Sequence, residues 1–228
     1  MKKVVKILKP LEWIFYFISL AILLFCGIYF KSNAFDIIAS VISLCAVFLN
    51  LNNKKYCFFF YAIYVLIYGI ISFINKQYGE GVINLVYNLP LYLFTIYGFY
   101  LSKKKKQESS EFVIKSITKK QLIVMIVLIP IITVLYGLLL NHLGSASPYL
   151  NSLATAFALS ASFLASRTIK EQWIAWIIYS LILFVLWLIT FISNGNGLMF
   201  VILNALYILI NTYGLIVWIR KFNESKKQ

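Results

Sequence analysis

One aspartate, six glutamates and one histidine are the carboxyl and imidazole groups this chain has for acid–base or metal chemistry. Such chemistry needs them in pairs or clusters. Glu12, Asp36, Glu80, Glu171 and Glu224 fall near the ends of apolar runs or between them, while Glu108 and Glu111 lie in a basic segment. No two are spaced for acid–base or metal work inside a run. Cys26, Cys45 and Cys57 form no pair at metal spacing and read as small apolar side chains. His142, beside Asn141 at the end of a run, reads as a solvated loop residue. Gly195 and Gly197 in SNGNGL read as a turn, on the wrong side of the membrane for a nucleotide-phosphate loop. These residues argue against an enzyme, and no cofactor or metal is expected.

The apolar runs do contain uncharged polar groups. Tyr61, Tyr64, Tyr68, Asn84, Tyr87, Asn88, Tyr92, Trp176, Tyr179, Ser180, Trp187, Asn204, Tyr207 and Asn211 are the candidates. An unpaired amide in hydrocarbon costs about 4–8 kcal/mol on the harshest scale, so these side chains must face protein or a wet cavity. Asn204, Tyr207 and Asn211 recur at helical spacing and give one polar stripe on an apolar helix. The segment EQWIAWIIYSLI, 171–182, adds two tryptophans three residues apart. Trp173, at the end of its run, reads as an interface anchor. Trp176, one turn deeper, reads as a stacking platform or gate, against a packing seam. Ring faces stack on flat heterocycles while amides and hydroxyls read their edges. The expected substrate is therefore a small vitamin or nucleoside, neutral or singly charged. A phosphorylated solute would want buried basic groups that the runs lack.

Something must hold these groups inside a bilayer. The chain has 228 residues, 62% apolar and 12% charged, against roughly a quarter charged in soluble domains. Eight apolar runs, 11–30, 35–51, 56–75, 82–101, 121–141, 149–166, 172–192 and 199–219, are each long enough to span it as a helix. The expected fold is an all-α integral membrane protein of eight transmembrane helices. With the N-terminus inside, 19 of the 21 basic residues lie inside and Lys31 and Lys76 outside. That asymmetry sets the orientation, with both termini cytoplasmic, in the cell membrane. It also accounts for the +14 net charge without a nucleic-acid partner. The first run is too long, and lacks the small-residue cleavage site, for a secretory signal.

The polar segment 101–120 divides the runs four and four. Laying 35–104 on 150–220 pairs Lys54 with Lys170, Phe60 with Trp176, Asn88 with Asn204 and Tyr97-Gly98 with Tyr213-Gly214. This suggests two three-helix repeats, 35–101 and 149–221. A tail and extra helix precede them at 1–34, and a short tail follows at 222–228. A basic linker, 102–120, and a connecting helix with its outer loop, 121–148, separate them. One intervening helix leaves the repeats parallel, the 3+1+3 plan that SWEET-type sugar carriers share. The solute site is then expected between the repeats, moving solute down its gradient by alternating access. Rows of small residues, Ala154, Ala158, Ser162 and Ser152, Ala156, Ser160, predict close helix packing. Pro90, just after Asn88, and Pro130 predict helix defects.

YLNSLATAFALSASFLASRTIKEQWIAWIIYS resembles a signature of the PnuC family of vitamin transporters. In that family a small-residue helix and a basic loop precede E-N-W-x-x-W, with Asn or Asp four residues beyond the second Trp. Glu171, Trp173 and Trp176 match. IYGFYLSKKKK and TYGLIVWIRK resemble the ends of the family's two repeats. The resemblance implies a facilitator, often a homotrimer, that carries nicotinamide riboside or a related vitamin, trapped by a cytoplasmic kinase. The chain departs from the pattern at Ser180 and its first-repeat counterpart Tyr64, and Asn151 stands where the family often has Asp. Thiamine, riboflavin or a deoxynucleoside thus stand beside nicotinamide riboside. Together the two lines of reading give Asn88, Asn204, Trp176, Ser180, Tyr64, Tyr92, Tyr207, Asn211, Asn84 and Trp173 as substrate-binding residues.

Overall fold

The computed structural model describes residues 2–52, 54–104 and 113–225, with the backbone alone for 2–12 and 102–104. Much of the basic linker and the last three residues therefore lie outside the described residues. Apolar runs of this length satisfy their backbone polar groups within helices, and the described chain is helical apart from short connections. The helices are α1 (Lys2–Tyr29), α2 (Ala34–Leu51), α3 (Cys57–Ile74), α4 (Tyr78–Val82), α5 (Leu89–Lys104), α6 (Lys119–His142), α7 (Pro148–Ser166), α8 (Gln172–Asn194) and α9 (Leu198–Ser225). Between α4 and α5 runs a π-helical stretch, Ile83–Asn88, so that Tyr78–Leu101 forms one continuous rod.

Among the described residues, six stretches are long and apolar enough to cross a membrane: α2, α3, Tyr78–Leu101, α6, α8 and α9. The apolar part of α1, Trp13–Tyr29, is shorter. In α7 the alanines and hydroxyls that lower hydropathy are the residues that let neighbours approach. Ser152, Ala154, Ala156, Ala158 and Ser162 are all buried. Ser152 Oγ donates to the Ile132 carbonyl of α6 at 3.1 Å.

Six helical units close a ring. α2 packs on α3, α3 on the α4–π–α5 rod, the rod on α7, α7 on α8, α8 on α9, and α9 back on α2. α6 leans on α7 from outside, and α1 on α2 and α9. Of α6, Gly137 and Leu140 are buried while Ile123, Ile126 and Leu135 are exposed, which is an apolar surface suited to lipid. Among the glycines whose close approaches a side chain would block, Gly79 and Gly214 bear on the site. A Cβ at Gly79 would lie 2.9 Å from Asn151 Oδ1, and one at Gly214 2.6 Å from the Trp173 ring. Gly195 ends α8 at φ 71° and Gly197 follows at φ 85°, the left-handed turn that SNGNGL predicts.

The rod corrects one expected boundary. Its helix begins at Tyr78 rather than at 82 and carries Glu80 inward with it. The π turn supplies the helix defect expected beside Pro90. The Leu89 N–H reaches back five residues to the Asn84 carbonyl, and Pro90 has no N–H to give.

Candidate functional site

The ring surrounds a narrow internal cavity. About 50 Å³ of it admits the centre of a water molecule, so its walls stand close together. The lining comes from α2, α3, the rod, α8 and α9: Ser43, Val47, Tyr61, Tyr64, Val65, Asn84, Asn88, Tyr92, Trp176, Tyr179, Ser180, Leu183, Asn204, Tyr207 and Asn211. Nine of the ten expected binding residues meet here. No lysine, arginine or histidine is among them.

Aromatic rings form much of the wall. Tyr61 stacks on Tyr92 with centroids 5.3 Å apart, Tyr64 on Tyr68 at 5.2 Å, and Trp176 meets Tyr179 edge-on at 5.5 Å. The polar groups are held by neighbours one helical turn away. Asn88 Nδ2 donates to Asn84 Oδ1 at 3.2 Å, and Asn84 Nδ2 to the Glu80 carbonyl at 2.8 Å. Across the cavity Asn204 Nδ2 donates to the Phe200 carbonyl at 2.7 Å. Asn211 Nδ2 donates to Ser180 Oγ at 3.1 Å, and Ser180 Oγ to the Trp176 carbonyl at 2.8 Å. Tyr207 pairs with Ser43 of α2. With their own partners supplied, these amides keep an oxygen or a second N–H for a solute edge, at little ordering cost.

Trp173 is the exception and a correction. It is fully buried outside the cavity, edge-on to Trp218 at 5.6 Å and flush with Gly214. It neither anchors at the interface nor lines the site; it is the packing seam between α8 and α9. Tyr68 and Trp187 also lie outside the lining, joined by a bond from Trp187 Nε1 to Tyr68 Oη at 2.9 Å. Tyr87 borders a separate outer hollow beside α6.

Two buried polar clusters flank the cavity, the second touching its lining through Tyr61. In one, Gln77 bonds Asn151 and donates to Thr190 Oγ1 at 2.7 Å, tying the α3–α4 connection to α7 and α8. In the other, Asn50 Nδ2 donates to Gln172 Oε1 at 3.3 Å and to Tyr61 Oη at 3.4 Å, tying α2 to α8 and α3. At the start of α8, Glu171 fastens the described end of the linker. Its carboxylate accepts from the Ile117 N–H at 2.9 Å, Ser116 Oγ at 2.8 Å and Lys170 Nζ at 2.5 Å. Burial alone would raise its pKa, but these donors hold it below the ordinary carboxylate value. Beside it, Lys115 and Ile169 form a β-bridge.

The sequence reading missed Ser43, which no pattern marks, and misplaced Glu80. Expected near a span end, Glu80 is fully buried and one bond from the cavity. Its Oε2 accepts from Tyr179 Oη at 2.5 Å and stands 3.5 Å from Asn84 Nδ2. The four-residue spacing of Glu80, Asn84 and Asn88 was the available signal.

The comparisons agree with this architecture. A family model described as "Nicotinamide mononucleotide transporter" matches residues 33–220. The nicotinamide riboside transporter PnuC of Neisseria mucosa is 28% identical over 213 residues, covering 89% of this chain and 81% of that protein. A crystal structure of the vitamin B3 transporter PnuC superposes with a TM-score of 0.79 at 23% identity, covering 94% of this chain and 92% of that one. These relatives are transporters and not enzymes. The chain belongs to the PnuC family of membrane transporters, whose family model runs from the start of α2 into the last two turns of α9.

Proposed function

We propose that this protein carries nicotinamide riboside across the cell membrane by facilitated diffusion. The observation that carries this reading is the uncharged, aromatic and amide lining of the ring cavity. Ring faces suit a flat pyridinium, and the amides suit its carboxamide and ribose edges. A lining without basic groups disfavours a phosphorylated solute, so the riboside fits better than the mononucleotide. Thiamine, riboflavin and deoxynucleosides use the same two features and remain the alternatives, since Ser180 and Tyr64 replace edge-reading groups of the family pattern.

Eight crossings are proposed, with α1 ahead of two like-oriented triplets, α2–α3–rod and α7–α8–α9, and α6 between them. Reciprocal seams support this plan: the first unit of each triplet, α2 or α7, packs on the last unit of the other, α9 or the rod. A rocking of one triplet against the other would open the cavity to each side in turn. Both termini are proposed to be cytoplasmic, and a homotrimer is proposed for the assembly. A membrane potential, negative inside, draws a monovalent cation inward with about 2.3 kcal/mol per 100 mV. A cytoplasmic kinase would then trap it by phosphorylation, so no coupling ion is required.

Uptake of radiolabelled nicotinamide riboside into proteoliposomes tests this reading. Saturable flux, competed by unlabelled riboside and not by sugars, is expected. Flux no faster than into empty liposomes contradicts it.

A further inference from the structure

Glu80 is an acid that the transport reading above does not use. It is fully buried, inside a rod that otherwise presents amides and rings to the cavity. Two side chains that line the cavity hold it, Tyr179 through Oη at 2.5 Å and Asn84 through Nδ2 at 3.5 Å. The Tyr68 hydroxyl lies beside the same carboxyl, and its second oxygen, Oε1, is buried without a hydrogen bond of normal geometry. No lysine or arginine pairs with it among the described residues; the ion pair found there joins Lys170 to Glu171. A carboxylate in a low-dielectric interior is costly until a cation stands near it, and hydroxyl and amide donors offset part of that cost. An ionised Glu80 therefore has no cationic side chain paired with it among the described residues.

We infer that Glu80 is a specificity-determining residue that selects solutes whose aromatic ring carries a permanent positive charge. The solute's cation completes the Glu80 site, through Tyr179 and Asn84, when the ring enters between the tyrosines and Trp176. The inference rests on the transport reading and sharpens it. Pyridinium and thiazolium vitamins qualify as substrates; riboflavin and deoxynucleosides, which are neutral, do not. The four alternatives thereby reduce to two of one chemical class. Glu80 acts through the field of its charge and the groups it orients, so it is a positioning residue rather than a direct ligand.

The test compares two solutes of one shape and different charge. Nicotinamide riboside is a cation, and the carbon-linked benzamide riboside is its neutral counterpart. Calorimetric titration of purified protein is expected to show the cation bound roughly tenfold more tightly or better, as a unit charge several ångströms from a carboxylate implies. Glu80→Gln is expected to remove most of that preference by weakening the cation, while the neutral ring stays within about twofold. Glu80→Asp, which keeps the charge, is expected to keep the preference. Equal weakening of both rings by Glu80→Gln, or no change for either, overturns the inference. Wild-type protein that binds both rings equally also overturns it, but leaves the transport reading standing. Wild-type protein that binds neither removes the transport reading itself. Retained binding of the neutral ring shows that the variant is folded.

Discussion

The rod and α9 face each other across the ring and carry asparagines that the proposed internal repeat places in register, yet they hold them differently. In the rod, Asn88 is bonded to the Asn84 side chain, and Asn84 to the Glu80 carbonyl at 2.8 Å with the Glu80 carboxylate 3.5 Å away, along a π turn. In α9 the helix is regular, and Asn204 satisfies itself on the backbone one turn back. The glycines differ as well. Gly214 of α9 lies under the Trp173 ring, while a Cβ at Gly98 of the rod would meet nothing within 4 Å. The rod is built as a site with polar groups that depend on one another. α9 presents polar groups that do not bond one another, Asn204 resting on its own backbone and Tyr207 and Asn211 on neighbouring helices.

Substitutions can break this contrast, and the packing side gives the largest effect. Gly214→Ala forces a methyl into the Trp173 ring, an overpacking that costs up to about 3 kcal/mol. Gly98→Ala is expected to leave stability unchanged or raise it by under about 1 kcal/mol. Thermal unfolding in detergent measures both, and equal losses would erase the distinction. Next is the polar side. Asn88→Leu strands Asn84 Oδ1 without its donor and is expected to weaken riboside binding by roughly 30-fold, about 2 kcal/mol. Asn204→Leu strands no partner side chain and is expected to cost about threefold. Calorimetric titration separates them, and a larger loss at Asn204 reverses the assignment.

The smallest effect lies outside the cavity. Glu171 has a lowered pKa in the folded protein, so its stabilisation is present above the unfolded carboxylate value and fades as pH falls through the folded one. Glu171→Gln is therefore expected to lose about 1 kcal/mol at neutral pH, allowing for solvent screening; the difference starts to shrink near about pH 4 and vanishes only once the pH is below the lowered folded value. Melting temperatures of both proteins across that range check it. A difference that persists in acid would mean that the Glu171 contacts do not depend on its charge.

Much of the cavity was legible because an amide inside an apolar run has few physical choices. Asn84, Asn88, Asn204 and Asn211 stood out against leucines and isoleucines, and all four line the space. Trp173 was misread because an aromatic at a run's end looks like an interface residue. The partner that buries it, Gly214, lies 41 residues on and carries no mark of the contact. Glu80 was misread because a charge looks like a boundary, whereas Gly79 lets α4 press onto α7 and takes the acid inside. Ser43 gave no signal at all, since a serine between isoleucine and leucine fits packing as well as function.

The central claim is that a flat ring binds inside the helix ring against Trp176. Titration of nicotinamide riboside into wild-type protein and Trp176→Ala tests it most directly. Saturable binding to the wild type, weakened by roughly 30-fold in the variant as loss of one stacking face implies, is the predicted result. Equal affinity in the two proteins, or no binding to either, would contradict it.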